Sequence, residues 1–322
     1  MELTSSSHTS FSCCLTLISY TIGEICLALF AYLSHHWLVL KWIISIYFGL
    51  SLPYLYFVPE SPYWLFSKRK FDELEIYLKR MAKTNGHSDK DWYSMYEQLV
   101  SQNNCKDKVK QSKKDKYFEY IPRLLICGLI EFITMLLYTK ISYGLGASNE
   151  TLSPYLNFII GAFVEAIGYL IAAVSIITPL GRKYSLIVFA SLTSICVLII
   201  PFLMKDYPLL TVIVSQLGKL SISSTVSVSW IYVPELFPTT MRGLANAVFV
   251  FVGSFGSILA PIVEELLGHK YIQISFYVYS ALIIILAFII CTLPETRNRS
   301  FDDQQSKFVV EQDNEQQLLP SL

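Results

Sequence analysis

The sequence predicts an all-α, polytopic membrane protein with about eight transmembrane helices. Hydrophobic residues make up 53% of the 322 residues and charged residues only 16%, whereas a soluble domain has about 25% charged residues. The apolar residues also occur in blocks of the length that crosses a bilayer, about 20 residues. The formal net charge is zero, from 25 basic and 25 acidic residues, so no nucleic-acid partner is expected.

Eight apolar blocks can be delimited, and proline marks the end of several of them. Pro59 follows the second block, Pro234 follows the sixth and Pro294 follows the eighth, as expected where a helix stops. The predicted spans are residues 12–34, 38–58, 121–142, 153–177, 184–204, 208–232, 243–266 and 271–293.

The distribution of lysine and arginine predicts the orientation of the spans, because loops on the cytoplasmic side are enriched in both. Residues 60–120 are crowded with lysine, which places this loop and both termini in the cytoplasm. Asn149, which begins a glycosylation sequon, is then expected outside. Four lysines fall on the outer side near span ends, where they are expected to snorkel to the interface: Lys41, Lys140, Lys205 and Lys270.

The cytoplasmic loop is predicted to contain two or three amphipathic helices under the membrane face. Apolar residues recur at helical spacing from Phe71 to Met81 and again from Trp92 to Leu99. Residues 101–116 form a charged linker, either a solvated connector or a lipid-binding segment. Residues 297–322 are polar and glutamine-rich, and we expect a disordered tail there.

The sequence contains no recognisable motif for catalysis, for a metal or for a cofactor. The seven cysteines show no CxxC or Cys/His spacing, and GxxxxGK[ST], GxSxG and HExxH are all absent. We therefore expect no enzyme activity, no metal and no cofactor. Residues 1–12 carry no lysine or arginine and precede a long apolar run, so the first span is expected to be retained rather than cleaved as a signal peptide.

Four short motifs punctuate the spans. They are Pro59–Leu65 (PESPYWL), Leu180–Lys183 (LGRK), Glu235–Arg242 (ELFPTTMR) and Leu293–Thr296 (LPET). In order and spacing they resemble the motifs of the organic cation/anion/carnitine transporters, a branch of the major facilitator superfamily. The resemblance extends from about Tyr20 to Arg299.

The resemblance implies a fold as well as a family. The first span corresponds to the family's fifth helix and the last to its twelfth, while the first four helices have no counterpart. Residues 1–59 would then hold two helices of the N-terminal bundle, residues 60–120 the cytoplasmic loop, and residues 121–296 the complete six-helix C-terminal bundle. Residues 297–322 would be the cytoplasmic tail.

The function implied by the resemblance is transport across the plasma membrane. Family members move small organic ions or zwitterions by alternating access, so a small organic solute and the lipid bilayer are the expected partners. The alternative is a non-transporting, fragmentary membrane protein derived from this family. The sequence gives no indication of oligomeric state.

Ionisable residues inside the spans are costly and are functional candidates by default. They are Glu24, Glu131, Lys140, Glu165 and Lys219. By the resemblance, Tyr138, Glu165 and Lys219 match family positions and are candidates to line the substrate cavity. The alternative is that Glu165 and Lys219 form a buried ion pair that only fixes bundle packing. Glu131 departs from the family pattern, as does Glu24, and is a further cavity candidate.

Ser254 bears on the charge of the substrate. By the resemblance, cation-preferring members carry aspartate at this position and anion-preferring members arginine. The neutral serine leaves three interpretations open: a zwitterionic or neutral substrate, selection elsewhere, or lost transport. Trp230 and Tyr232 could contact an organic cation through their rings or simply pack between helices.

Charged residues at the cytoplasmic ends of the spans are the gating candidates: Arg182, Lys183, Glu235 and Arg242. In the family such groups form a charge network that latches one end state, although Thr178 and Pro179 replace the usual Asp-Arg here. We predict Glu235 within about 4 Å of Arg182 or Arg242, the salt-bridge distance. The alternative is that these residues are ordinary solvated interface charges.

Overall fold

The fold is helical throughout the part of the chain that the computed structural model describes. This part comprises residues 9–57, 60–67, 69–86, 88, 92–94, 96–98, 100, 113–144, 154–204, 206–237, 239–267 and 272–295. Within it, eight helices are long and apolar enough to cross a membrane. The predicted fold class is confirmed.

The helices are numbered here in chain order. Their bounds are α1 Thr9–Ser34, α2 Trp37–Phe57, α3 Pro62–Ser67, α4 Phe71–Thr84, α5 Lys113–Thr139, α6 Pro154–Ile177, α7 Gly181–Leu203, α8 Pro208–Glu235, α9 Thr239–Leu267 and α10 Ile272–Cys291. A π-helical turn at Lys140–Gly144 continues α5. All but α3 and α4 contain a candidate span.

Several helix ends differ from the predicted ones by a few residues, and two of these differences are described here. α5 begins at Lys113, so residues 113–116 are helical rather than part of a linker, because no glycine or proline interrupts the sequence before Pro122. α8 continues through Pro234 to Glu235, beyond the predicted end at residue 232. Pro234 lies in the last turn of α8, where backbone carbonyls have no intrahelical donor, and Arg242 Nε donates to its carbonyl oxygen at 3.1 Å.

Several predictions concern residues outside the described part of the chain. They are the Asn149 sequon, the linker at 101–112, the outer lysines Lys205 and Lys270, and the tail at 297–322.

One compact unit includes residues 41–121. Within it, α3 packs against α4 and the side chains of Leu65 and Leu74 are buried. The hydroxyl of Tyr96 donates to the carbonyl oxygen of Phe71 at 3.0 Å. α4 confirms the amphipathic helix predicted from Phe71 to Met81.

The second compact unit includes residues 9–40 and the described residues between 122 and 295. In it, α8 packs against α6, α7 and α9, and α7 also packs against α10. α1 lies against α6 and α8, and therefore groups with the later helices by contact. The assignment of residues 1–59 to the N-terminal bundle rests on equivalence to family helices and not on contacts within this chain. It therefore stays a prediction.

The central helix α8 is rich in hydroxyl residues. Six of them are fully buried: Ser221, Ser223, Ser224, Thr225, Ser227 and Ser229. Ser223 donates to the carbonyl oxygen of Lys219 at 2.8 Å and Thr225 to that of Ser221 at 2.9 Å, so both hydroxyls are satisfied on their own helix. Small side chains such as these let neighbouring helices approach closely.

Candidate functional site

Glu165 of α6 is the centre of a buried polar cluster inside the second unit. Its side chain is 0% exposed, and Lys219 Nζ of α8 lies 3.3 Å from its Oε2. This is an ion-pair distance without hydrogen-bond alignment. Tyr138 of α5 and Tyr169 of α6 both donate their hydroxyls to Oε1, at 2.6 Å and 2.5 Å. The sequence-predicted trio of Tyr138, Glu165 and Lys219 therefore meets in one place.

Glycines on α6 make room for this cluster. A Cβ at Gly161 would lie 2.8 Å from Lys219 Nζ, and one at Gly168 would lie 2.7 Å from the carbonyl oxygen of Leu220. The hydroxyl of Ser224 donates to the carbonyl oxygen of Gly168 at 2.8 Å. At Gly168, α6 and α8 thus approach to a distance that only glycine permits, whereas at Gly161 the ammonium end of Lys219 occupies the space beside the backbone.

Aromatic and acidic groups surround the ion pair. The Phe158 ring centroid lies 5.9 Å from Lys219 Nζ, within the range of a cation–π contact. Glu24 and Tyr20 of α1 are close enough to interact electrostatically with Tyr138. The cluster therefore receives groups from α1 as well as from the later helices.

Glu131 forms a separate site, two turns before Tyr138 on α5. Its side chain is 0% exposed. Trp230 Nε1 donates to its Oε1 at 2.9 Å, and Ser229 Oγ lies 3.3 Å from its Oε2. Trp230 and Tyr232 are the two aromatic residues considered as contacts for an organic cation. Trp230 contacts the acid Glu131, whereas Tyr232 is buried and donates its hydroxyl to the carbonyl oxygen of Pro294.

Ser254 is not brought to either buried acid. Its side chain is exposed, and its hydroxyl donates to the carbonyl oxygen of Val250, one turn earlier on α9, at 2.8 Å. The neighbouring Gly253 is the residue that contacts Glu131, since a Cβ there would lie 2.6 Å from Glu131 Cγ.

The expectation that Lys140 snorkels to the outer interface is wrong. Its side chain is only 3% exposed, and its ammonium group pairs with Glu264 of α9 at 2.5 Å. The Phe276 ring centroid of α10 lies 5.5 Å from the same nitrogen. The ammonium group of Lys140 is therefore stabilised by partners inside the protein rather than by lipid headgroups, and it connects the π-helical turn to α9 and α10.

The four gating candidates make three separate contacts. Arg182 Nη2 donates to Glu235 Oε1 at 2.9 Å, and Arg182 Nε lies 2.7 Å from Oε2. The distance therefore meets the prediction for Glu235. Lys183 instead donates to the carbonyl oxygen of Cys291 at 2.8 Å, and Arg242 Nε donates to the carbonyl oxygen of Pro234.

Glu295 is a functional candidate that sequence reasoning missed. Its carboxylate accepts from the backbone N–H groups of Arg182 and Lys183, at 3.2 Å and 3.0 Å. A carboxylate at a helix N-terminus satisfies free donors and interacts favourably with the helix dipole. Gly181 permits this approach, because its φ is +75° and a Cβ would lie 3.1 Å from the carboxylate.

The fold and the buried charged cluster define a multi-pass membrane protein of the major facilitator type. The sequence profile of the sugar (and other) transporter family matches residues 9–308. The chain belongs to that family.

The similar proteins include organic cation transporters. Identity is 28% over 281 residues to solute carrier family 22 member 3 of Rattus norvegicus, covering 86% of this chain and 49% of that protein. It is 28% over 313 residues to an organic cation transporter protein of Drosophila melanogaster, with 93% and 55% covered. It is 25% over 284 residues to organic cation/carnitine transporter 2 of Homo sapiens, with 87% and 50% covered. The predicted resemblance is confirmed, and the chain spans about half the length of the curated relatives it matches.

Solved structures share the fold. The major facilitator superfamily proton:xylose symporter XylE bound to 6-bromo-6-deoxy-D-glucose superposes with a TM-score of 0.74 at 19% identity, covering 95% of this chain and 68% of that chain. The inward open conformation of the xylose transporter XylE from E. coli gives a TM-score of 0.58 at 16% identity, with 90% and 63% covered.

Proposed function

We propose that the protein carries small organic ions or zwitterions across the plasma membrane by alternating access, without covalent chemistry. The observation that carries this function is the buried ion pair of Glu165 and Lys219, bonded to Tyr138 and approached by groups of α1. Burial of an ionisable group in a membrane span costs free energy, so such a group is expected to serve a solute pathway or helix packing. Membership of a transporter family favours the pathway.

The charge arrangement suits a solute that carries both signs. Glu165 and Lys219 offset each other's charge, with Lys219 Nζ 3.3 Å from Glu165 Oε2. A bound zwitterion can offer its carboxylate to Lys219 and its cationic group to Glu165, so that neither buried charge is left unpaired. Phe158 and Tyr169 supply aromatic surface for the organic part of the solute.

The cytoplasmic contacts support a gating role for the predicted residues. Arg182 and Glu235 join the start of α7 to the end of α8 through a two-point contact. The side chains are 19% and 14% exposed, so the pair is shielded more than an open surface bridge. We propose that this contact, with Lys183 and Arg242 beside it, stabilises one end state of the transport cycle.

The orientation and the domain plan complete the proposal. Both termini and residues 60–120 lie in the cytoplasm, as the lysine and arginine bias suggests. By family equivalence, residues 1–59 belong to the N-terminal bundle and residues 121–296 to the C-terminal bundle. Ser254 and Glu131 stay candidates for the wall of the pathway.

An uptake assay tests the function. Cells that express the full chain are supplied with radiolabelled tetraethylammonium, carnitine or benzoate, and uptake is divided by surface abundance from biotinylation. We expect uptake of carnitine or tetraethylammonium above that of untransfected cells, and at least about a tenfold loss in Glu165→Gln, which is the effect of about 1.4 kcal/mol.

The matched control is Ser194→Ala. Ser194 and Ser280 bond to each other at 3.0 Å between α7 and α10, away from the cluster, and we expect uptake per surface molecule to be unchanged. Absence of uptake for all three solutes at normal surface abundance would refute the transport function.

A further inference from the structure

Glu131 is buried without a counter-ion in the described part of the chain. Its side chain is 0% exposed, and its contacts are the Trp230 indole and the Ser229 hydroxyl, both neutral. Glu165, by contrast, has an ammonium group at 3.3 Å and two phenol donors. The two acids are therefore held in chemically different ways.

The number of hydrogen bonds that an ionised Glu131 carboxylate could accept depends on where the Ser229 hydroxyl directs its proton. A serine hydroxyl has one proton to donate, and Ser229 Oγ lies 2.9 Å from the carbonyl oxygen of Val226 but 3.3 Å from Glu131 Oε2. If the proton goes to the shorter contact, Ser229 Oγ is an acceptor toward Glu131. A protonated carboxyl can then donate to Ser229 while its other oxygen accepts from Trp230, so all groups are satisfied.

The contacts that the described residues make with Glu131 are close and uncharged. Gly253 of α9 is so close that a Cβ there would lie 2.6 Å from Glu131 Cγ and 3.2 Å from Met135 Cγ. The contacting residues of α8 and α9 are Trp230, Ser229 and Gly253, none of which titrates. The charged residues of these two helices are engaged or distant along the helix: Lys219 and Glu235 on α8, and Arg242, Glu264 and Glu265 on α9. Glu24 of α1 interacts with Tyr138 instead.

We propose that Glu131 is a proton-binding site, whose carboxyl carries a proton at neutral pH, donates it in a hydrogen bond to Ser229 Oγ and accepts one from Trp230 Nε1. An isolated carboxylate in such a site lacks the charge partner or the water that would stabilise it. The proton is released when α8 or α9 moves away from α5 and lets water reach the carboxylate. Proton binding thereby depends on helix separation, a property that goes beyond solute transport.

Infrared difference spectroscopy on the purified full chain in lipid nanodiscs tests this site without a transport measurement. At neutral pH we expect a carbonyl stretching band of a protonated carboxylic acid that is lost in Glu131→Gln. The band should decrease only as the pH is raised into the alkaline range. The matched control is Glu265→Gln, which removes an exposed acid of α9 and should leave the band intact.

Trp230→Phe provides a second measurement that does not require removal of the acid. Loss of the indole donor should shift the same band to higher wavenumber, because the carbonyl oxygen loses its hydrogen bond. A neutral-pH spectrum without a protonated-acid band, or a band that neither Glu131→Gln nor Trp230→Phe alters, would overturn the assignment.

Discussion

Removal of both partners of the Glu165–Lys219 pair should destabilise the protein little more than removal of one. At 3.3 Å and an effective dielectric constant of about 20, the Coulomb attraction is about 5 kcal/mol. Lys219→Gln leaves a fully buried carboxylate with two phenol donors, and Glu165→Gln leaves a buried ammonium group beside the Phe158 ring. Each single variant should lose about 3–5 kcal/mol, the usual effect of breaking a buried pair.

The assay is a double-mutant cycle on the free energy of unfolding, measured in mixed detergent micelles. The double variant should be nearly as stable as the better of the two single variants, giving a coupling free energy of about 3 kcal/mol, since contacting charges do not contribute additively. Ser194→Ala with Ser280→Ala gives a neutral reference cycle, expected near 1 kcal/mol for one hydrogen bond. Additive losses in the charge cycle would show that the two side chains do not stabilise each other, and the reasoning would be refuted.

Three further predictions concern the gating pair, the burial of Lys140 and the membrane topology. Glu235→Gln should reduce solute uptake more than surface abundance, because Arg182 loses its carboxylate partner; unchanged uptake per surface molecule would count against gating. Lys140→Met should lower the free energy of unfolding by about 1.5 kcal/mol in the same micelle assay, because the partly exposed Glu264 loses its charged partner, and Lys140→Met combined with Glu264→Gln should recover most of that loss. Equal stability of Lys140→Met and wild type would contradict the internal pairing. Cys105 should be labelled by a membrane-impermeant maleimide only after the cells are permeabilised, and labelling in intact cells would invert the predicted topology.

The sequence predicts the spans and the central pair well because both depend on strong local signals. A run of about 20 apolar residues directly predicts a membrane span. Glu165 and Lys219 are readily identified because they are charged residues within such runs. Tyr169 carried a usable signal that was missed, since it lies four residues after Glu165 and therefore on the same helix face.

The partners of Lys140 and of the α7 N-terminus could not be predicted in the same way. Lys140 and Glu264 each lie near a span end, where a charge is ordinarily stable at the interface, and only the packing of α5 against α9 brings them together. Glu295 follows the last helix, and its hydrogen-bond donors are backbone N–H groups, which have no sequence signature. Contacts of this kind depend on tertiary arrangement alone.

The segment at residues 291–295 has a consequence for biogenesis. Its atoms bind Lys183, the backbone of Arg182 and the hydroxyl of Tyr232, and the bond from Arg182 bridges 113 residues. At about 5–20 residues per second, synthesis of that interval takes roughly 6–23 s. During this time the first N–H groups of α7 lack their carboxylate partner, so the nascent bundle is open to chaperones or quality-control factors until Glu295 has left the ribosome.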